Sequence, residues 1–261
     1  MNFKTVLTLV ASTVALSSAV IQPAQAVDFG TSWDSNCVGG QGASSCSLQN
    51  ILNSMTTAGP QINTAHDSGI QTFTNAGNST AASYLFSVAG YAPNNTFGIY
   101  KLGDTNNKIQ LFGGVTSGIT QGAGTLVNFL ANGSVKVGSQ IVQNFGSQFG
   151  FYLDRKGPDS LTVYSQNALN QNGAQQVVSY TGNGQTQLNI GGQNTLFSKD
   201  SVLLGFEDLR LAGSDKDYND LAILVSGVRS STAVPEPTVL LGLVAIGAAV
   251  ASRRRKVSNV G

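Results

Sequence analysis

Apolar residues recur along this chain in short runs separated by turn residues. From residue 83 onward ten such runs stand out: 83–89, 96–102, 108–112, 125–130, 149–153, 161–164, 176–180, 187–190, 201–208 and 221–228. In the second, Phe97 and Ile99 alternate with Gly98 and Tyr100, the period of two expected of a strand with distinct faces. Gly-Asp, Asn-Gly and Gly-Pro-Asp steps between the runs supply turns. Many short strands at this spacing predict an all-β fold, a single-domain β-sandwich or jelly roll. Earlier in the chain the period changes. Leu48, Ile51, Leu52 and Met55 fall at i, i+3, i+4 and i+7, which predicts one short N-terminal helix over 47–55. Ser47 or a neighbouring polar residue caps it, and its apolar stripe serves packing.

The two ends of the chain follow another pattern. Residues 1–26 carry Lys4, an apolar and small-residue run, and Ala24-Gln25-Ala26, the layout of a secretory signal peptide with a small-x-small cleavage site. Residues 27–232 are then the exported β-rich domain, long enough for one core of its own. In the tail, 233–261, Pro235-Glu236-Pro237 precedes an apolar segment over 238–252, predicted to be a short transmembrane sorting helix. Its uninterrupted apolar part, 239–251, is shorter than the roughly 20 residues of an ordinary spanning helix. Arg253, Arg254, Arg255 and Lys256 follow at once, which predicts a cytoplasmic end and an outward-facing domain.

Composition narrows the partners. Charged residues are 10% of the chain, against about 25% in an ordinary soluble domain. Within 27–232 there are nine Lys/Arg against twelve Asp/Glu, a net charge of −3. The domain therefore has no basic patch with which to hold nucleic acid. Cys37 and Cys46 lie in CVGGQGASSC, and in an exported chain they are expected to form a local disulfide. The single histidine, His66, sits in His66-Asp67-Ser68, but adjacency does not bring side chains together as a triad, and no GxSxG elbow is present.

The tail strongly resembles the PEP-CTERM sorting signal of bacterial exported proteins: Pro-Glu-Pro, short apolar segment and Arg cluster occur in that order. The resemblance implies processing by an exosortase-type membrane protease that recognises Pro235, Glu236 and Pro237. It also implies an inner-membrane intermediate, then delivery to the cell surface or extracellular matrix.

Five of the chain's 13 acidic residues fall within 14 positions, in GFEDLRLAGSDKDYNDLAILV. Packing that many carboxylates between two apolar strands is repulsive unless a positive charge compensates. Asp215, Asp217 and Asn219 alternate, with Asp220 beside them and Glu207 and Asp208 across the loop. An oxygen-only set of this kind suits calcium. The run opens like an EF-hand, DxDxN, but has Asp220 where that loop needs Gly and Ser226 where it needs Glu. Since adjacent strand residues point to opposite faces, one of Glu207 and Asp208 is expected to miss the ion. The alternatives are turn capping with ion pairs to Arg210 and Lys216, or catalysis.

The same segment resembles a bacterial domain-of-unknown-function family often paired with this sorting tail, with its Glu-Asp-Leu step and its Asp-x-Asp-Tyr-Asn-Asp-like run. FGIYKLGDTNNKIQLF, FGFYLD and YSQNALNQNGAQQVVSYTGNG extend the resemblance over most of 84–228. It implies a domain without naming a reaction. The expectation is a surface or matrix protein whose calcium-stabilised β-sandwich serves adhesion or polymer association. The alternatives are a glycan-binding module, with Trp33, Tyr91 and Tyr152 stacking on sugars, or a carboxylate hydrolase of extracellular polysaccharide. Enzymatic activity stays open.

Overall fold

The helix that the apolar stripe predicts runs Leu48–Met55 (α1), and all four stripe residues are buried. Ser47 caps it, its hydroxyl oxygen accepting from the Asn50 backbone N–H. The computed structural model describes residues 27–35, 37, 42–77, 79–113, 124–157 and 159–231. The predicted signal peptide, 1–26, and the tail, with Pro235, Glu236, Pro237, the 238–252 segment and Arg253 to Arg255, lie outside the described residues. Among the described residues no helix is long and apolar enough to cross a membrane.

After α1 the chain is β-structure. The first eight strands are β1 (Thr56–Ala58), β2 (Phe73–Asn75), β3 (Ser79–Phe86), β4 (Asn95–Lys101), β5 (Asp104–Gly113), β6 (Gly124–Phe129), β7 (Val135–Val137) and β8 (Gln140–Val142). The rest are β9 (Gln148–Arg155), β10 (Leu161–Tyr164), β11 (Val177–Thr181), β12 (Gln187–Ile190), β13 (Gln193–Leu196), β14 (Ser201–Phe206), β15 (Leu221–Ser226) and β16 (Val228–Ser230). Every pairing is antiparallel. One sheet runs β16-β2-β9-β4-β5, with β10 also on β9, and a second runs β11-β14-β15-β3-β6-β7-β8. A small third sheet holds β1, β12 and β13.

The two large sheets form the expected sandwich. Phe97, Phe149, Phe151 and Leu153 of the first meet Val202, Leu204, Phe206 and Ile223 of the second. Phe97 stacks on Phe151 at 5.6 Å between ring centroids and meets Phe206 edge-on at 5.6 Å. The second sheet is also covered on its outer face. Leu203, Val178 and Leu224 pack there with Leu48, Ile51 and Leu52 of α1 and Leu188 of the small sheet. All six residues of β14 are consequently buried, which is why this strand reads as a continuous apolar run and not an alternating one.

Two expectations need correction here. The run 201–208 stops being strand at Phe206, because Glu207 and Asp208 turn into the acidic loop. The run 221–228 is broken at Gly227, whose φ of 76° interrupts the strand between β15 and β16.

Candidate metal centre

β14 ends by delivering Glu207 and Asp208 to different surroundings. Ligand oxygens of Glu207, Asp215 and Asp217 all lie within 4.8 Å of one another. Asp208 faces away from this triad: its Oδ2 accepts from Asn95 Nδ2 at 2.7 Å, and its backbone N–H donates to Asp220 Oδ2 at 2.8 Å. The Arg155 charge also faces Asp208. The six residues predicted to hold an ion thus split, with Glu207, Asp215, Asp217 and Asn219 on one side and Asp208 and Asp220 on the other. Asn219 joins the triad through Nδ2, which donates to Asp217 Oδ2 at 2.6 Å and to the Cys46 carbonyl at 2.7 Å.

The loop's shape comes from two left-handed residues, Lys216 and Tyr218, each with φ of 56°. This conformation is unfavourable for bulky side chains, so packing must hold it. Tyr218 is buried, its ring edge-on to Phe29 at 5.4 Å and its hydroxyl donating to the Gln175 carbonyl at 2.9 Å. A strap, residues 27–35, closes over the loop from the other end of the chain. Gly30 N–H donates to the Lys216 carbonyl at 3.0 Å, and Trp33 N–H to Asp215 Oδ2 at 2.7 Å. A Cβ at Gly30 would lie 1.8 Å from the Asp215 carbonyl oxygen, so only glycine fits. Cys37 and Cys46 form the predicted disulfide, which anchors the Cys46 carbonyl that Asn219 uses.

Of the competing structural reading, half is present. Glu207 Oε1 accepts the Tyr218 N–H at 2.7 Å and Asp217 Oδ1 the Asn219 N–H at 3.2 Å, both as turn caps. The ion pairs are absent: among the described residues the one salt bridge is Lys108–Asp154 at 2.7 Å. Arg210 instead donates to Gln171 Oε1. Glu207 Oε2 and Asn219 Oδ1 remain buried with no hydrogen-bond partner. Leaving such oxygens unsatisfied costs on the order of 1–3 kcal/mol each, and more for a charged group.

Burial and crowding raise the carboxyls of this loop. Burial, against relief from the Tyr218 N–H and the Ser214 hydroxyl and with the charges of Asp217 and Asp215 added, pushes the Glu207 carboxyl up to about 7. Burial likewise raises Asp217 to about 7, with Asp215 and Asp34 adding to it. Asp220 is held well above the usual carboxylate range by burial and then by Asp208, Glu207 and Asp217, while burial, with Asp215 added, raises Asp208 against the relief from Asn95 and Arg155. Carboxylate and amide oxygens, without thiol or imidazole, form the donor set of a hard cation.

Three of the acidic side chains are turned into the fold. Glu207, Asp208 and Asp217 are 0%, 2% and 3% exposed. His66 is exposed on a turn. Asp67 beside it is structural: buried, it accepts from the backbone and hydroxyl of Ser179. Of the proposed sugar-stacking rings, Trp33 is 67% exposed and Tyr91 41%. Tyr152 is a correction: it is 3% exposed, lies over Gly98 and is covered by the Lys108 ammonium at 4.5 Å from its centroid.

The fold and loop together define an all-β domain with a buried acidic pocket whose Asp215 edge is part-exposed. Residues 125–227 match a family described as a domain of unknown function, DUF4114. The match contains the whole acidic loop but begins after FGIYKLGDTNNKIQLF, the strap and the disulfide. No curated protein and no solved structure matches the chain. Ser32, whose hydroxyl oxygen accepts from Asn219 Nδ2 at 3.5 Å, escaped the sequence reading with Asn95 and the Cys46 carbonyl, because nothing local marks a backbone oxygen or a lone polar residue as part of a site more than a hundred positions away.

Proposed function

We propose that this protein is an exported, surface-sorted β-sandwich whose acidic pocket holds calcium and whose role is adhesion or association with extracellular polymer. The supports for sorting are the signal-peptide layout of 1–26 and the resemblance of 233–261 to an exosortase substrate. The single observation that carries the calcium reading is Glu207 Oε2, fully buried beside Asp215 and Asp217 with neither a hydrogen bond nor a basic side chain to compensate it. A divalent cation supplies that compensation. Glu207, Asp215, Asp217 and Asn219 are the ligands, while Asp208 and Asp220 form a supporting shell through the Asp208 N–H and Asn95.

The test is calorimetric titration of calcium into the chelator-stripped full chain, secreted into an oxidising compartment, with Glu207→Gln and Asp217→Asn alongside. Saturable binding is expected in the range of extracellular calcium modules, about 10⁻⁴–10⁻³ M. At a hundredfold excess over Kd the fold should gain about 2.7 kcal/mol. Absence of heat and of thermal shift in the wild-type chain would remove the reading and leave turn capping as the loop's role.

A further inference from the structure

We propose that the strap side of this pocket is a binding site for vicinal hydroxyls of a neutral polysaccharide, with Trp33 as the stacking platform. This rests on the calcium reading above and names the ligand that such a centre would take. Calcium accepts six to eight oxygens. The chain supplies one oxygen each from Glu207, Asp215 and Asp217, and Asn219, bonded to Asp217 through Nδ2, has a buried Oδ1 with no partner. Positions therefore remain for oxygens from outside, and a vicinal diol presents two at once.

Trp33 stands where such a ligand would arrive. It is the chain's one tryptophan and is 67% exposed, while nine phenylalanine and tyrosine rings are among the largest fully buried side chains. Its position is fixed by the backbone, since its N–H donates to Asp215 Oδ2 at 2.7 Å. With its backbone tied to a ligand carboxylate and its side chain 67% exposed, Trp33 offers an apolar face that suits stacking on a pyranose. Asp34 is exposed next to it, and its charge reaches both Asp215 and Asp217. Exposed, its carboxylate can accept sugar hydroxyl hydrogens. Exposed Asp28 and Asp34 on the same strap repel uronate or phosphate polymers, which selects a neutral chain.

Affinity electrophoresis of the full chain through gels containing mannan or dextran, with calcium or chelator, tests this. Wild type should be retarded in calcium and not in chelator. Trp33→Ala should lose about tenfold in apparent affinity for the polymer while its calcium titration stays unchanged, because the Asp215 contact uses backbone. Equal retardation of Trp33→Ala and wild type would overturn the proposal, as would free migration of calcium-loaded wild type in both gels. If wild type takes up no calcium in the parallel calorimetry, the underlying metal reading falls first, and this one with it.

Discussion

Tyr218 donates its backbone N–H to Glu207 Oε1 over 2.7 Å, tying the start of the acidic loop to its far limb through two buried residues. That bond leaves Oε2 as the oxygen without a partner, so the position of Tyr218 decides which Glu207 oxygen faces the pocket. Gly205 lies directly beneath: a Cβ there would come within 2.7 Å of the Tyr218 carbonyl oxygen and 3.1 Å of Val178.

Gly205→Ala should therefore displace Tyr218 and disturb the pocket through it. The expected cost is about 1–3 kcal/mol, the usual range for overpacking. Urea unfolding would show a lowered midpoint, and calcium calorimetry a weakened affinity. A variant with unchanged calcium binding would disconnect Tyr218 from the site.

Protons and calcium should compete. With no cation bound, Glu207 and Asp217 both sit at about 7, chiefly through burial. In the unfolded chain they return to about 4. The folded chain therefore holds more protons between those values, and its stability falls as pH rises through that window, from about pH 4 to about pH 7. In chelator, the melting temperature of wild type should drop across this range relative to Glu207→Gln, which lacks one of the two titrations. Saturating calcium needs ionised carboxylates and should reverse the slope.

The disulfide should matter to the pocket as well as to the fold. Cys37 and Cys46 are nine residues apart, and opening so short a loop costs about 2–3 kcal/mol on the chain-entropy view. Because the Cys46 carbonyl holds Asn219 Nδ2 at 2.7 Å, Cys37→Ser with Cys46→Ser should also lower calcium affinity about fivefold, the equivalent of one ordinary hydrogen bond. Calorimetry of the double variant measures both the loss of stability and that of affinity.

Terbium offers an optical check of the strap. With Trp33 N–H on Asp215, excitation at the red edge of indole absorption should sensitise terbium emission on titration. Excess calcium should quench that emission, and Trp33→Phe should abolish it. Emission that survives in Trp33→Phe would place the ion away from the strap.

Much of the sandwich was legible because its strands alternate or run apolar, as Phe97–Ile99 and the β14 run do. What stayed hidden was short or polar: β1, β2, β7 and β8 have three residues each, too few to show a period, and β13 is mostly polar. The cover of α1 and the small sheet over the second large sheet was hidden too, since an amphipathic helix does not announce which surface it packs on. At the site, the clustering of Glu207, Asp215, Asp217 and Asn219 was visible in residue types alone. The separation of Glu207 from Asp208 was expected from strand alternation, but it arises in the loop, after β14 has ended at Phe206. The contribution of Trp33 N–H and the Cys46 carbonyl did not, because these contacts span 182 and 173 residues and use backbone atoms that every residue carries.

Those spans also govern when the molecule can exist. β2 pairs with β16, and β3 with β15, so the first half of each large sheet waits for strands within the last residues described. A chain emerging amino end first, from a ribosome or a translocation pore, cannot finish either sheet or assemble the pocket until residue 230 is clear. Such non-local pairing is slow to form. The protein therefore completes itself only on the far side of whatever opening it leaves, and the ionic composition of that compartment is the one its acidic loop first meets.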